Sequence, residues 1–148
     1  MKIFMTGASG YIGGTVADSL LKAGHSMTGL ARSEGSAAKL RAHGIEPVRG
    51  ELSSHSIVRN AVRTADAVIN CADASDPFVV AAIVEGLAGS GKAFLHTSGS
   101  SVIGDKAAGK FSPKIYHEDT PADPLPEKVQ RVAVDRVVLA AAAQGVRS

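Results

Sequence analysis

MTGASGYIGG, residues 5–14, sets three glycines, Gly7, Gly10 and Gly13, between a short apolar run and a helical pattern. Gly7 can turn tightly, Gly10 lets main chain approach phosphates, and Gly13 lets helix and sheet pack closely. Ile12, Val16 and Leu20 recur four apart, which predicts a helix over residues 11–23 with one apolar face. The free N–H groups and the positive dipole end of such a helix favour an anion. Glycine spacing is a weak signal by itself. Its place here, with a first strand before it and a second strand about 20 residues on, predicts a pyrophosphate cradle. The candidate contacts in this turn are Gly7, Ser9, Gly10, Tyr11, Ile12 and Gly13.

Outward from the turn the chain alternates apolar runs with helical patterns. Strands are expected at residues 2–5, 26–31, 45–48, 67–70 and 93–97. Helices are expected at residues 36–43, 54–64, 77–88 and 127–143. Gly24 suits the left-handed position after the first helix, and Asp76-Pro77 is a helix opening because aspartate caps and proline tolerates the first turn. Residues 99–126 read as one long loop rich in Gly, Ser, Lys, Asp and Pro. A loop of that length is usually functional or mobile. The βαβα order predicts an α/β fold of the Rossmann type, a doubly wound parallel sheet in strand order 3-2-1-4-5. Residues 1–148 form one domain, with no repeat and no dividing linker.

Composition narrows the functions. Hydrophobic residues make up 45% and charged residues 20%, the balance of a globular domain. A net charge of +2 without a block of like charges gives no nucleic-acid footprint. No apolar run is long enough to span a membrane, and the opening MKIFMTG reads as a strand rather than a signal peptide. The cytoplasm is therefore the expected compartment. Cys71 is the sole cysteine, and His43, His55 and His117 lack metal-ligand spacing, so no metal is expected.

The spacing Thr6-Gly7-x-x-Gly10-x-x-Gly13 resembles the extended and atypical short-chain dehydrogenase/reductases, among them nucleotide-sugar epimerase-like proteins. The likeness continues through GHSMTGLARS (residues 24–33), VRGEL (48–52), DAVINCA (66–72), FLHTSGSSVIGD (94–105) and EDTPADP (118–124). It implies a small-molecule substrate and a nicotinamide cofactor. Glu51 and Leu52 would lie beside the adenine, and Cys71 and Ala72 would border the cofactor at the end of the fourth strand. The tip of the second strand meets the adenosine ribose in this architecture. It carries Arg32 and Ser33 rather than an acid, and a guanidinium can bind a 2′-phosphate bidentately. NADP is the expected cofactor, with Glu34 keeping NAD as the alternative.

The resemblance also implies a Ser/Thr and a Tyr-x-x-x-Lys proton relay, and here this chain departs. Gly99 stands at the serine position, between Ser98 and Ser100. Glu127 stands at the tyrosine position and Arg131 at the lysine position, four residues before an acidic match, Asp135. Arg131 could anchor the ribose, but a guanidinium does not give up its proton. Ser98 and Ser100 are the catalytic candidates, set against ordinary backbone satisfaction by serines after a strand. Three readings follow: an atypical NADP-dependent reductase or epimerase-like enzyme, a non-catalytic NADP-binding sensor or scaffold, and a truncated, inactive fragment. The resemblance further implies that the chain is the N-terminal part of a longer protein, with a strand expected after residues 145–147. Val79, Val80, Ile83, Val84, Leu87, Val134, Val137 and Val138 are apolar surface for either a homodimer seam or a cover for the sheet.

Overall fold

The computed structural model describes residues 1–148. Five strands alternate with five helices: β1 (Lys2–Thr6), α1 (Tyr11–Lys22), β2 (Ser26–Ala31), α2 (Glu34–Ala42), β3 (Glu46–Arg49), α3 (His55–Arg63), β4 (Ala67–Asn70), α4 (Pro77–Leu87), β5 (Ala93–His96) and α5 (Val129–Ala140). The strands form one sheet in the order β3-β2-β1-β4-β5, and every pair is parallel. The Rossmann-type expectation and its strand order hold.

Side chains on a strand alternate between faces, and this sheet uses both. Ile3 and Met5 of β1, with Ala67 and Ile69 of β4, join Met27, Ala17, Ala37 and Leu40 on the face of α1 and α2. Phe4 and Val68 point the other way, into a core with Val58, Val62, Val80, Ile83, Phe94 and Val134 on the face of α3, α4 and α5. A buried residue of this size stabilises by about 1.5–3 kcal/mol, so each face holds its own layer of helices. Of the eight apolar residues weighed between sheet cover and dimer seam, Val79, Val80, Ile83, Val84, Leu87, Val134 and Val138 are buried within the chain. Val137 is exposed.

Some boundaries move for local reasons. The second helix starts at Glu34 rather than residue 36, because Ser33 accepts from the Ser36 N–H and Ser36 reciprocates in a capping box. The last helix is entered through a 3-10 turn, Pro126–Lys128, and left through another, Ala141–Gln144. The long loop contains a third 3-10 turn, Ser100–Ile103. β5 is not a bare edge. The Arg147 N–H donates to the Lys92 carbonyl (3.0 Å) and the Phe94 N–H donates to the Arg147 carbonyl (2.9 Å). These bonds form one rung of parallel pairing beyond the fifth strand. No helix is long and apolar enough to cross a membrane.

Candidate functional site

Chain order reverses between β1 and β4, and a crevice opens outside their carboxyl ends, as expected at the switch point of a doubly wound sheet. It is a cleft of about 620 Å³ lined along its length by residues including Arg32, Ser36, Glu51, Gly10, Cys71 and Asp76. The glycine turn forms its floor. Gly7 has φ +74°, a left-handed conformation that a side chain would strain. A Cβ there would also sit 2.6 Å from the Cys71 carbonyl. A Cβ on Gly13 would run into the Gly7 carbonyl, and one on Gly10 would come within 3.2 Å of that oxygen. The turn is therefore closed to side chains and open to a ligand. Helix α1 begins after Gly10 with no side-chain cap and no acidic residue in its first turn. Its first N–H groups, at Tyr11, Ile12 and Gly13, lack intrahelical acceptors. The arrangement fits a pyrophosphate.

Of the sequence-predicted contacts, Gly7, Ser9, Gly10, Arg32, Glu51, Leu52, Cys71 and Ala72 line the cleft. Tyr11 and Ile12 turn their side chains to solvent, 93% and 57% exposed, leaving their main chain as the contribution. Gly13 is buried in α1. Ser33 does not line the cleft, because its hydroxyl caps α2; Ser36, one turn on, does line it. Leu30, Gly50, Ser53 and Asp76 are further lining residues that sequence reasoning missed. Asp76 could have been found from its capping role: its carboxylate accepts from Phe78 and Val79 N–H groups at the mouth of the cleft.

Just after β2, Glu34 stays out of the cleft lining. Its carboxylate takes the Arg41 guanidinium at 2.7 Å and lies 3.9 Å from Arg49. The Arg41 hydrogen bond and charge hold Glu34 below the usual carboxylate range. Arg32 makes no ion pair within the chain and projects into the cleft with its donors free.

Beyond Cys71, outside the cleft lining, a cluster of polar side chains joins β1, β4, β5 and α5. Buried Thr6 donates to Asn70 Oδ1, and Asn70 Nδ2 lies 3.0 Å from His96 Nδ1. Cys71 and Thr97 share a hydrogen bond of 3.2 Å. Ser98 donates to Asp135 Oδ2 at 2.7 Å. The other carboxylate oxygen of Asp135 lies 3.8 Å from His96 Nε2, and neither of these two buried atoms has a hydrogen-bond partner. Burial pushes the His96 imidazole below its ordinary value despite the opposing influence of Asp135. Ser100 opens the 3-10 turn beyond. Arg131 lies outside the cleft lining; its Nε donates to Ser75 (3.3 Å), and a Cβ on Gly99 would meet its Nη1 at 2.7 Å. Glu127 is exposed in the 3-10 turn before α5.

Residues 7–147 match the family described as NAD(P)H-binding. The chain belongs to that family. It is 37% identical to an uncharacterised protein of Schizosaccharomyces pombe, over 100% of this chain and 51% of that protein. It spans about half the length of the curated relatives it matches first. Among solved structures, it superposes on MoeE5 in complex with UDP-glucose and NAD with a TM-score of 0.76. That likeness has 21% identity and covers 99% of this chain and 52% of that one. It also superposes on the UDP-Glc/GlcNAc 4-epimerase of Campylobacter jejuni, with a TM-score of 0.75 and 20% identity over 96% of this chain and 49% of the other. These two likenesses establish a shared fold. Membership of the NAD(P)H-binding family gives the chain its ligand class.

Proposed function

We propose that this chain is the cofactor-binding part of an NADP-preferring oxidoreductase or epimerase-like enzyme that works on a small molecule without a Tyr-x-x-x-Lys relay. The observation that carries the preference is Arg32, unpaired at the cleft rim, while Glu34 is engaged by Arg41. An acid free to accept from a ribose 2′-hydroxyl would favour NAD; a free guanidinium with Ser36 beside the same cleft favours a 2′-phosphate. The uncapped start of α1 and the Gly7–Gly13 turn would hold the pyrophosphate, with Glu51 and Leu52 beside the adenine and Cys71 and Ala72 on the nicotinamide side. When bound, the cofactor supplies hydride transfer. The chain's own residues orient it and shut side chains out of the phosphate floor.

The departures at 99, 127 and 131 support the absence of the usual relay. Glu127 is exposed, and the space above Gly99 is taken by the Arg131 guanidinium. They equally favour a second reading, in which NADP occupancy of the cleft serves a sensor or scaffold. Fluorescence titration of the folded protein with NADPH and NADH tests the first claim. The expected result is binding of both, tighter for NADPH. Equal affinities would remove the preference, and no binding of either would remove the site.

A further inference from the structure

We propose that the cavity between α1 and α2 is a second small-molecule site, shaped for a compact monocarboxylate with a hydrocarbon body. The proposal does not depend on the reading of the larger cleft, and its test separates the two.

The cavity holds about 390 Å³, a volume in the range of small-molecule sites. Ala8, Leu40 and Ile45 give it an apolar floor, and all three are buried in the layer beneath α1 and α2. Its rim is polar and carries Ser9, Thr15, Asp18, Lys39 and His43. Gly14 contributes by what it lacks. A Cβ there would meet nothing nearer than the Ala8 carbonyl at 3.5 Å, an ordinary contact. The missing side chain therefore leaves room rather than relieving a clash.

The rim has one charge to offer. His43 Nδ1 and Asp18 Oδ1 are 3.0 Å apart, so these two groups are engaged with each other. The Thr15 hydroxyl donates to the Tyr11 carbonyl at 3.0 Å, which commits its proton. Lys39 makes no ion pair within the chain. One ammonium is left, with the exposed Ser9 hydroxyl on the same rim. That set matches a single negative charge. A phosphate dianion would bring a second charge with only the Asp18 carboxylate nearby, and a neutral molecule would leave the ammonium unmatched. A lysine ammonium is a point charge and takes a carboxylate without a bidentate geometry. Leu40, Ile45 and Ala8 would then cover the hydrocarbon body, where burial of apolar area adds to binding.

The cavity is separate from the cofactor cleft. Ser9 and Gly10 border both, and form the partition between them. Arg32, Ser36 and Glu51 line the cleft and not this cavity, whereas Asp18, Lys39 and His43 line the cavity and not the cleft.

The test follows backbone amide NMR shifts of the full chain, titrated at constant ionic strength with benzoate, with neutral benzamide and with inorganic phosphate. Benzoate should give saturable shifts centred on Gly14, Thr15, Lys39 and His43, and the other two probes should bind at least about tenfold more weakly, the scale of one lost charge-assisted hydrogen bond. Lys39→Gln, at an exposed helix position, should weaken benzoate by a similar factor and leave NADPH affinity unchanged. Gly14→Leu should fill the cavity and abolish the benzoate shifts, with circular dichroism showing an intact fold. Absent or unsaturable benzoate shifts overturn the proposal. Benzamide or phosphate binding as tightly as benzoate, or wild-type benzoate affinity in Lys39→Gln, does the same. A loss of NADPH affinity relative to NADH in Lys39→Gln would assign Lys39 to the cofactor phosphate and also overturn it. Intact benzoate binding with no cofactor binding would sustain this site and remove only the cleft reading.

Discussion

Around Gly7, Gly10 and Gly13 the cleft is walled by main chain, whereas around Thr97, Ser98 and Gly99, outside its lining, side chains drawn from β4, β5 and α5 meet one another. The first region is shaped by withholding atoms: a Cβ at position 7 or 13 has nowhere to go. The second is built by supplying them, through a hydroxyl, an imidazole and a carboxylate at Ser98, His96 and Asp135. The main-chain region carries the spacing Gly7-x-x-Gly10-x-x-Gly13, while the side-chain region carries Gly99 against Arg131. A backbone cradle for pyrophosphate has few steric solutions. A proton can be moved by several side-chain types.

The comparison breaks most completely at Gly10. Gly10→Val adds branched carbons beside the Gly7 carbonyl, already 3.2 Å from an added Cβ, and fills the space a phosphate needs. Losing two or more charge-assisted hydrogen bonds at about 1.5–3 kcal/mol each implies an affinity loss of at least about 10²-fold. NADPH titration, with circular dichroism to show an unchanged fold, checks it. Wild-type affinity in Gly10→Val would mean that the phosphates lie elsewhere.

A smaller and more selective effect is expected at the β2 rim. Arg32→Ala should weaken NADPH by roughly 1.5–3 kcal/mol, the range for hydrogen bonds to charged groups, and leave NADH nearly unchanged. Equal losses for the two cofactors would make Arg32 a general electrostatic contact rather than a reader of the 2′-phosphate.

What was legible in the chain follows the same division. Strand order, the glycine turn and both helical layers could be read because apolar periodicity and glycine placement are local signals. Ser33 could be read as polar and well placed, yet the sequence did not say that its hydroxyl would be consumed by a capping box while Ser36 faced the cleft. The start of α5 was misjudged because Pro126 begins a 3-10 turn, and the α pattern of the following residues extends back over it. The chain from Asn70 through His96 to Asp135 was hidden for a stronger reason. Its members are 26 and 39 residues apart, and only the pairing of β4 with β5 and the docking of α5 bring them together. A polar residue closing the otherwise apolar run Ala67–Asn70 was the one local sign.

Gly99 and Arg131 can sharpen the contrast, because they exchange space. A Cβ at position 99 meets Arg131 Nη1 at 2.7 Å, but that atom ends a flexible side chain. Gly99→Ser should therefore cost roughly 0.5–1.5 kcal/mol, the scale of forcing a side chain off its rotamer. The cost should largely vanish in an Arg131→Ala background. Urea unfolding of the two single variants and the double variant gives this coupling directly. Additive effects would show that the two positions do not compete for the same space.

The smallest expected effect is a slope rather than a step, and it belongs to His96. Burial lowers its folded-state pKa, and Asp135 opposes that shift without cancelling it. In the unfolded chain the imidazole takes its ordinary value, about 6.5. Below that pH the unfolded state binds a proton that the folded state resists, so acidification favours unfolding. Above it both states are neutral and His96 contributes no pH dependence. The unfolding free energy of the wild type should therefore hold above about pH 6.5 and fall as the pH drops through the imidazole range toward the lowered folded value. His96→Gln removes this component, so the gap between variant and wild type should narrow on acidification. Asp135→Asn should steepen the wild-type slope, because it removes the charge that favours the protonated ring. Parallel curves for wild type and His96→Gln would show that the ring titrates alike in both states, and the effect assigned to its burial would fail.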